Sequence, residues 1–297
     1  MEQFCDVGRG ITLCYESFGE ESDPPLLLIM GLATQMLGWP DEFCEQLAGR
    51  GLRVVRFDNR DSGRSTHPDG PPPTIRQLVR RRIDPVLYTL SDMAEDAVGL
   101  MRALEIEPAH VVGASMGGMI AQTIAVEHPE SVRSLVSIMS STGSRWRGQP
   151  AFRIYRYLLT AAPVDRDAYI DRVANVFAAI GSRGIPQDKE LVRDIIERSY
   201  GRDHDLAAPG RQLGAIIASG NRTARLRWIT APTLVIHGSK DRMVAPSGGV
   251  ATARAIPGAR LLRIRGMGHD LPEAAWPQLL DAIAEHACAA ERTAVAG

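Results

Sequence analysis

Nothing in the chain is apolar for long enough to cross a bilayer: the longest run, LLLIMGLA from Leu26, is eight residues, where a helical span needs about 20. Net charge is nearly absent too. Lys plus Arg number 34 against 35 Asp plus Glu, a formal charge of −1, which leaves no electrostatic motive for nucleic acid or an anionic membrane as a partner. Cysteine is scarce and scattered. Cys5, Cys14, Cys44 and Cys288 form no pair at metal-ligand spacing, and read as buried or incidental thiols in a reducing cytosol. The opening MEQFCDVGRG lacks the basic start and apolar core of a secretory signal, so a cytoplasmic location is expected. Neither H-E-x-x-H nor C-x-x-C occurs, and no internal repeat is evident; no metal or organic cofactor is expected.

What remains is an ordinary globular composition, 44% apolar and 23% charged over 297 residues. Short apolar runs alternate with helical patterns, as in a parallel sheet covered on both faces. Strands are expected at Pro25–Met30, Arg53–Asn59, His110–Ser115, Ser134–Ser140, Thr233–Gly238 and Ala259–Gly266. A pair near Gln3–Val7 and Ile11–Phe18 should form an antiparallel edge. In SDMAEDAVGLMRALEI, residues Met93, Ala97, Leu100, Met101 and Leu104 share one helical face, with Ser91 or Asp92 as cap. Further helices should run from Gly117 to just before Pro129 and over about Glu273–Ala290. From about Thr142 to Arg227 the alternation stops, and helical segments (FRIYRYLLTAA, DAYIDRVANVFAAIG, DKELVRDIIERSY, QLGAIIASG) follow one another without a strand. This predicts an α/β core of residues 1–141 and 228–297 with a helical cap, 142–227, inserted over one end of the sheet. The cap carries 15 Arg/Lys against 9 Asp/Glu, read first as solvated helical surface and second as charge recognition.

The stretch VVGASMGGMIAQ, 111–122, places a serine where a buried strand must turn at once into a helix. Such a turn strains the backbone of Ser115, and Gly113 and Gly117 leave out the side chains that would block it. The hydroxyl is then held above a helix N-terminus, whose free N–H groups and dipole favour a developing anion. A serine needs a base, and the base an orienting acid. His269, in LLRIRGMGHDLPEAAW, follows the last strand and so lies on the rim where parallel strands end. His110, His237, His128 and His204 have settings that suit packing or solvent. Asp241, in TLVIHGSKDRMV, stands three residues past a strand; SIMSSTGS, after the preceding strand, offers no acid, and Asp270 adjoins His269 too closely to orient it.

Nucleophile, acid and base in that chain order resemble the α/β-hydrolase superfamily, with GASMGG as nucleophile elbow, HGSKDRMV as acid loop and GMGHDLP as histidine loop. The resemblance spans about 10–140 and 228–290. Within it, FDNRDSGRST and MGLATQMLGWPDEF are similar to bacterial esterases of the aclacinomycin methylesterase type; proline iminopeptidases and meta-cleavage C–C hydrolases are neighbours. The resemblance implies Ser115 as nucleophile, His269 as base then acid, Asp241 as orienter, and an oxyanion hole from the N–H groups of Leu32 and Met116. Many relatives have His-Gly where Met30-Gly31 stands, but the donor is backbone in either case. Asp58, Arg60 and Asp61 are expected to pair and hold their loop beside the site.

The implied function is hydrolysis of a small-molecule carboxylic ester, a methyl ester of a small or polyketide-like substrate among the options. Two alternatives stay open: C–C bond hydrolysis of the meta-cleavage type, and a binding protein that keeps the fold without catalysis. Trp146, Phe152, Tyr155, Tyr157, Tyr169 and Phe177 either line an acyl pocket or pack the cap on the sheet.

Overall fold

A computed structural model describes residues 1–160 and 163–295. Eight strands form one sheet: β1 (Gln3–Asp6), β2 (Thr12–Phe18), β3 (Pro25–Ile29), β4 (Arg53–Phe57), β5 (Ala109–Ala114), β6 (Val132–Ile138), β7 (Thr233–Gly238) and β8 (Arg260–Ile264). Their order is β1-β2-β4-β3-β5-β6-β7-β8. The pairs β1–β2 and β2–β4 are antiparallel and the remaining five parallel, so the expected antiparallel edge is present.

The helices are α1 (Asp41–Ala48), α2 (Ile75–Arg80), α3 (Leu90–Ala103), α4 (Met116–Glu127), α5 (Tyr155–Leu159), α6 (Arg166–Ile180), α7 (Lys189–Arg202), α8 (Ala208–Ser219), α9 (Ser247–Ala255) and α10 (Trp276–Val295). Alternation along the strands separates two cores. Leu27, Ile29 and Val111 pack with Met93, Ala97, Leu100 and Met101 of α3 and Ile120 and Ile124 of α4. Leu26, Leu28 and Val112 pack on the other face with Phe43 and Leu47 of α1 and Leu279, Leu280 and Ile283 of α10. Among the described residues no helix is long and apolar enough to cross a membrane.

Several boundaries differ from expectation. The strands expected to reach Asn59, Ser115 and Ser140 stop at Phe57, Ala114 and Ile138, because the chain leaves the ladder at the rim to build loops. Single bonds carry on past it, from Ser115 N–H to the Ile138 carbonyl and from Met139 N–H to the Ile236 carbonyl. The cap of α3 is Thr89, not Ser91 or Asp92: its hydroxyl takes the Asp92 N–H while the Asp92 carboxylate reaches back to the Thr89 N–H, a capping box. The next helix, α4, starts at Met116 rather than Gly117, with Ser115 in the N-cap position. Glu273–Ala275 is a 3-10 turn, and α10 continues past Ala290.

Between β6 and β7 the described residues hold α5 to α8 and no strand. The helical reading of FRIYRYLLTAA includes residues 161 and 162, which lie outside the described part. Helix α2 escapes the periodicity because it has no buried residue and hence no apolar face.

Candidate active site

Six parallel strands end on one rim, and Ser115, Asp241 and His269 follow β5, β7 and β8 there. Ser115 has φ 55° and ψ −115°, a conformation that L-residues rarely adopt. A Cβ on Gly113 would overlap the Gly117 carbonyl, and one on Gly117 the Ile29 carbonyl, so the turn can close only with glycine at both places. The backbone of Ser115 is pinned from β6: its N–H donates to the Ile138 carbonyl at 2.9 Å, and the Ser140 hydroxyl donates to its carbonyl at 2.8 Å. Its side chain makes no bond to its own helix, which leaves Oγ free to face the rim.

Oγ of Ser115 lies 2.9 Å from His269 Nε2, and His269 Nδ1 lies 2.8 Å from Asp241 Oδ2. A carboxylate can only accept, so the imidazole proton sits on Nδ1 and the Nε2 lone pair faces the hydroxyl. The second oxygen of Asp241 accepts from the N–H groups of Met243 and Val244 at 2.9 and 2.8 Å, which closes its turn and fixes the carboxylate. Burial opposes the charge of Asp241, but His269 and His237 outweigh it and hold its pKa below the usual range.

His237 is a neighbour that sequence reasoning set aside as packing. Its Nε2 lies 2.9 Å from the Val244 carbonyl, which requires the proton there, and 3.4 Å from Asp241 Oδ2. The only sequence signal was its spacing, four residues before the acid.

On the other side of Ser115, the loop after β3 passes close enough that a Cβ on Gly31 would sit 3.1 Å from the Ser115 Cβ. Asn59 Nδ2 donates to the Met30 carbonyl at 2.9 Å and holds the entry to this loop. Met116 opens α4, and neither its N–H nor that of Leu32 donates to another protein group among the described residues. Two unpaired donors thus flank the serine.

The expected pairing within DNRDSGRST is not what forms. Arg60 pairs with Asp96 of α3, Asp58 with Arg202 of α7 at 2.8 Å, and Asp61 with Arg211 of α8. The acids of this loop are buried, and the guanidinium groups of Arg202 and Arg211 reach them from the segment between β6 and β7, while the loop's own Arg60 turns to the buried carboxylate of Asp96. Part of the insertion's basic excess is therefore structural. Asp61, His67 and Asp205 come together as a metal site might, but both Asp61 oxygens are occupied by Arg211, and the same guanidinium contacts Asp205; the cation here is Arg211.

Asp270, unlike Asp241, turns away from the imidazole and accepts from Ser182 N–H at 3.0 Å, the Ser182 hydroxyl and Gln187, tying the histidine loop to the α6–α7 connection. Of the aromatic residues considered for a pocket, Trp146 and Phe152 are 88% and 91% exposed, while Tyr169 packs on Tyr200.

A family model for the alpha/beta hydrolase fold matches residues 24–273. The chain is 30% identical to rhodomycin D methylesterase DauP of Streptomyces sp. (strain C5), over 94% of this chain and 96% of that protein. It is 30% identical to a 2-hydroxymuconate semialdehyde hydrolase of Pseudomonas putida over 65% of this chain and 64% of that protein. Among solved structures, a hydrolase from Pseudomonas aeruginosa PA01 matches with a TM-score of 0.72 at 25% identity, covering 97% of each chain.

Proposed function

The chain belongs to the alpha/beta hydrolase fold family, and from that premise we propose that it is a carboxylic ester hydrolase working through an acyl-enzyme on Ser115. One observation carries the residue assignment: a continuous hydrogen-bonded line from Asp241 through His269 to Ser115, at 2.8 and 2.9 Å. In this reading Ser115 Oγ attacks the ester carbonyl as its proton passes to His269 Nε2. The carbonyl π electrons move to oxygen, and the oxyanion is held by the N–H groups of Leu32 and Met116. Loss of one such donor costs about 3 kcal/mol of transition-state stabilisation. The tetrahedral intermediate then collapses, the alkoxide takes the proton from His269, and water repeats the cycle on the acyl-enzyme.

Residues 142–227 act as a cap over this rim and set the substrate range. The likeness to a methylesterase along nearly the whole chain favours a methyl ester of a ring-bearing, polyketide-like molecule. C–C hydrolysis is the second reading, supported by the likeness to the semialdehyde hydrolase, which extends over only about two thirds of the chain. Retention of a complete Ser-His-Asp line argues against a binding protein. The four cysteines are free, in keeping with a reducing cytosol as the place of work.

A panel of methyl, ethyl and p-nitrophenyl esters, run beside a vinylogous β-diketone, tests the bond cleaved. Ester turnover by wild type and none by Ser115→Ala is expected. Turnover of the diketone alone would transfer the assignment to C–C hydrolysis.

A further inference from the structure

Gln212, on α8 of the insertion, is completely buried and contacts the core at the loop beside Ser115. Its Oε1 accepts the Ala33 N–H at 2.9 Å; its Nε2 donates to the carbonyls of Arg60 and Asp61 at 3.1 and 3.3 Å. The orientation of the amide is fixed by its partners, because an N–H can only donate and a carbonyl can only accept. Two of these partners are strained. Ala33 has φ 58° and Asp61 φ 64°, left-handed conformations held by residues other than glycine, so something outside the loops must stabilise them.

Ala33 follows Leu32, the donor on the β3 side of the proposed oxyanion hole. Upstream, Asn59 fixes the Met30 carbonyl at 2.9 Å; downstream, Gln212 fixes the peptide between Leu32 and Ala33. The direction of the Leu32 N–H is therefore set between one anchor from the core and one from the insertion. Gln35 repeats the tie nearby, donating from Nε2 to the carbonyls of Ser199 and Asp203 at 2.8 and 2.7 Å.

We infer that Gln212 is a positioning residue for the oxyanion hole, through which the helical insertion sets the transition-state stabilisation of the active site as well as covering it. The inference rests on the ester-hydrolase reading. A displaced donor loses the preorganisation that makes it effective, and this acts on the tetrahedral species more than on the planar ester.

The test compares wild type with Gln212→Leu, which fills the space and makes no hydrogen bond, and with Gln212→Met should the leucine variant fail to fold. Each is assayed on a p-nitrophenyl ester and titrated with a trifluoromethyl ketone and the matching methyl ketone. On the fluorinated ketone, Ser115 Oγ bonds to the carbonyl carbon, the π pair moves to oxygen, and the serine proton goes to His269. That adduct fills the oxyanion hole, whereas the planar methyl ketone reports ground-state binding. A fall in kcat of roughly 10- to 100-fold is expected, since full removal of a donor costs about 10²–10³. The trifluoromethyl ketone should weaken by the same factor, with KM and methyl ketone affinity little changed. Variants that keep wild-type kcat, or lose kcat while both ketones weaken equally, would overturn the inference. A wild type that neither hydrolyses esters nor forms the adduct would bring down the hydrolase reading itself, and is told apart from those outcomes by needing no variant.

Discussion

Ser115 occupies a backbone conformation that costs free energy, and what it gains is a hydroxyl clear of its own helix, 2.9 Å from His269 Nε2. The role of Asp241 is directional. As an acceptor it keeps the proton on Nδ1; an amide in its place would donate there and force the proton to Nε2, against the serine. Asp241→Asn should therefore lower kcat by about 10⁴ with the fold retained, through the wrong tautomer. Steady-state kinetics on a p-nitrophenyl ester, with circular dichroism as the control, measures this; unimpaired turnover would place the orienting acid elsewhere. These three side chains were legible because each follows a strand end in a local pattern: glycines two residues either side of Ser115, a glycine turn before His269, an acid three residues past a strand. His237 and Gln212 were not. For His237 the one local sign was its place four residues before Asp241, which packing explains equally well; for Gln212 the partners are two strained loops about 150 to 180 residues away in the chain, and no local pattern announces them.

Strands and long helices could be read from pattern alone, because burial on both faces gives β3 an unbroken apolar run and β5 one interrupted only by His110, and one-sided burial gives α3 its stripe. Ends were harder. Thr89 competes with Ser91 and Asp92 for the cap position within three residues, and only the geometry of the first turn decides. Likewise β4, β5 and β6 stop early: past Phe57, Ala114 and Ile138 the backbone turns aside and places Asn59, Ser115 and Ser140 at the rim. Helix α2 is the opposite case, a surface element whose residues answer to no core.

Buried ion pairs join the helical segment between β6 and β7 to the loop after β4. Arg202 meets Asp58 and Arg211 meets Asp61, with both carboxylates buried, and His67 stands among Asp61, Asp203 and Asp205 at 3.2, 3.0 and 3.8 Å. The hydrogen bond to Asp61 raises the pKa of His67 to about 9 against the opposing effect of burial. A pKa raised by folding means that the native state binds the proton more tightly, so the stabilisation is complete below the unfolded value of about 6.5 and disappears as pH rises through about 9. Thermal midpoints should fall across that window in wild type and fall less in His67→Gln; parallel curves would show that the pH-dependent stabilisation does not come from His67. Ester hydrolysis at Ser115 requires a covalent acyl intermediate. Acid quench of the protein during turnover of p-nitrophenyl butyrate, followed by peptide mass spectrometry, should find a butyryl group on the peptide bearing Ser115 and none in Ser115→Ala. Turnover with that peptide unmodified, or with the acyl group on another side chain, would contradict it.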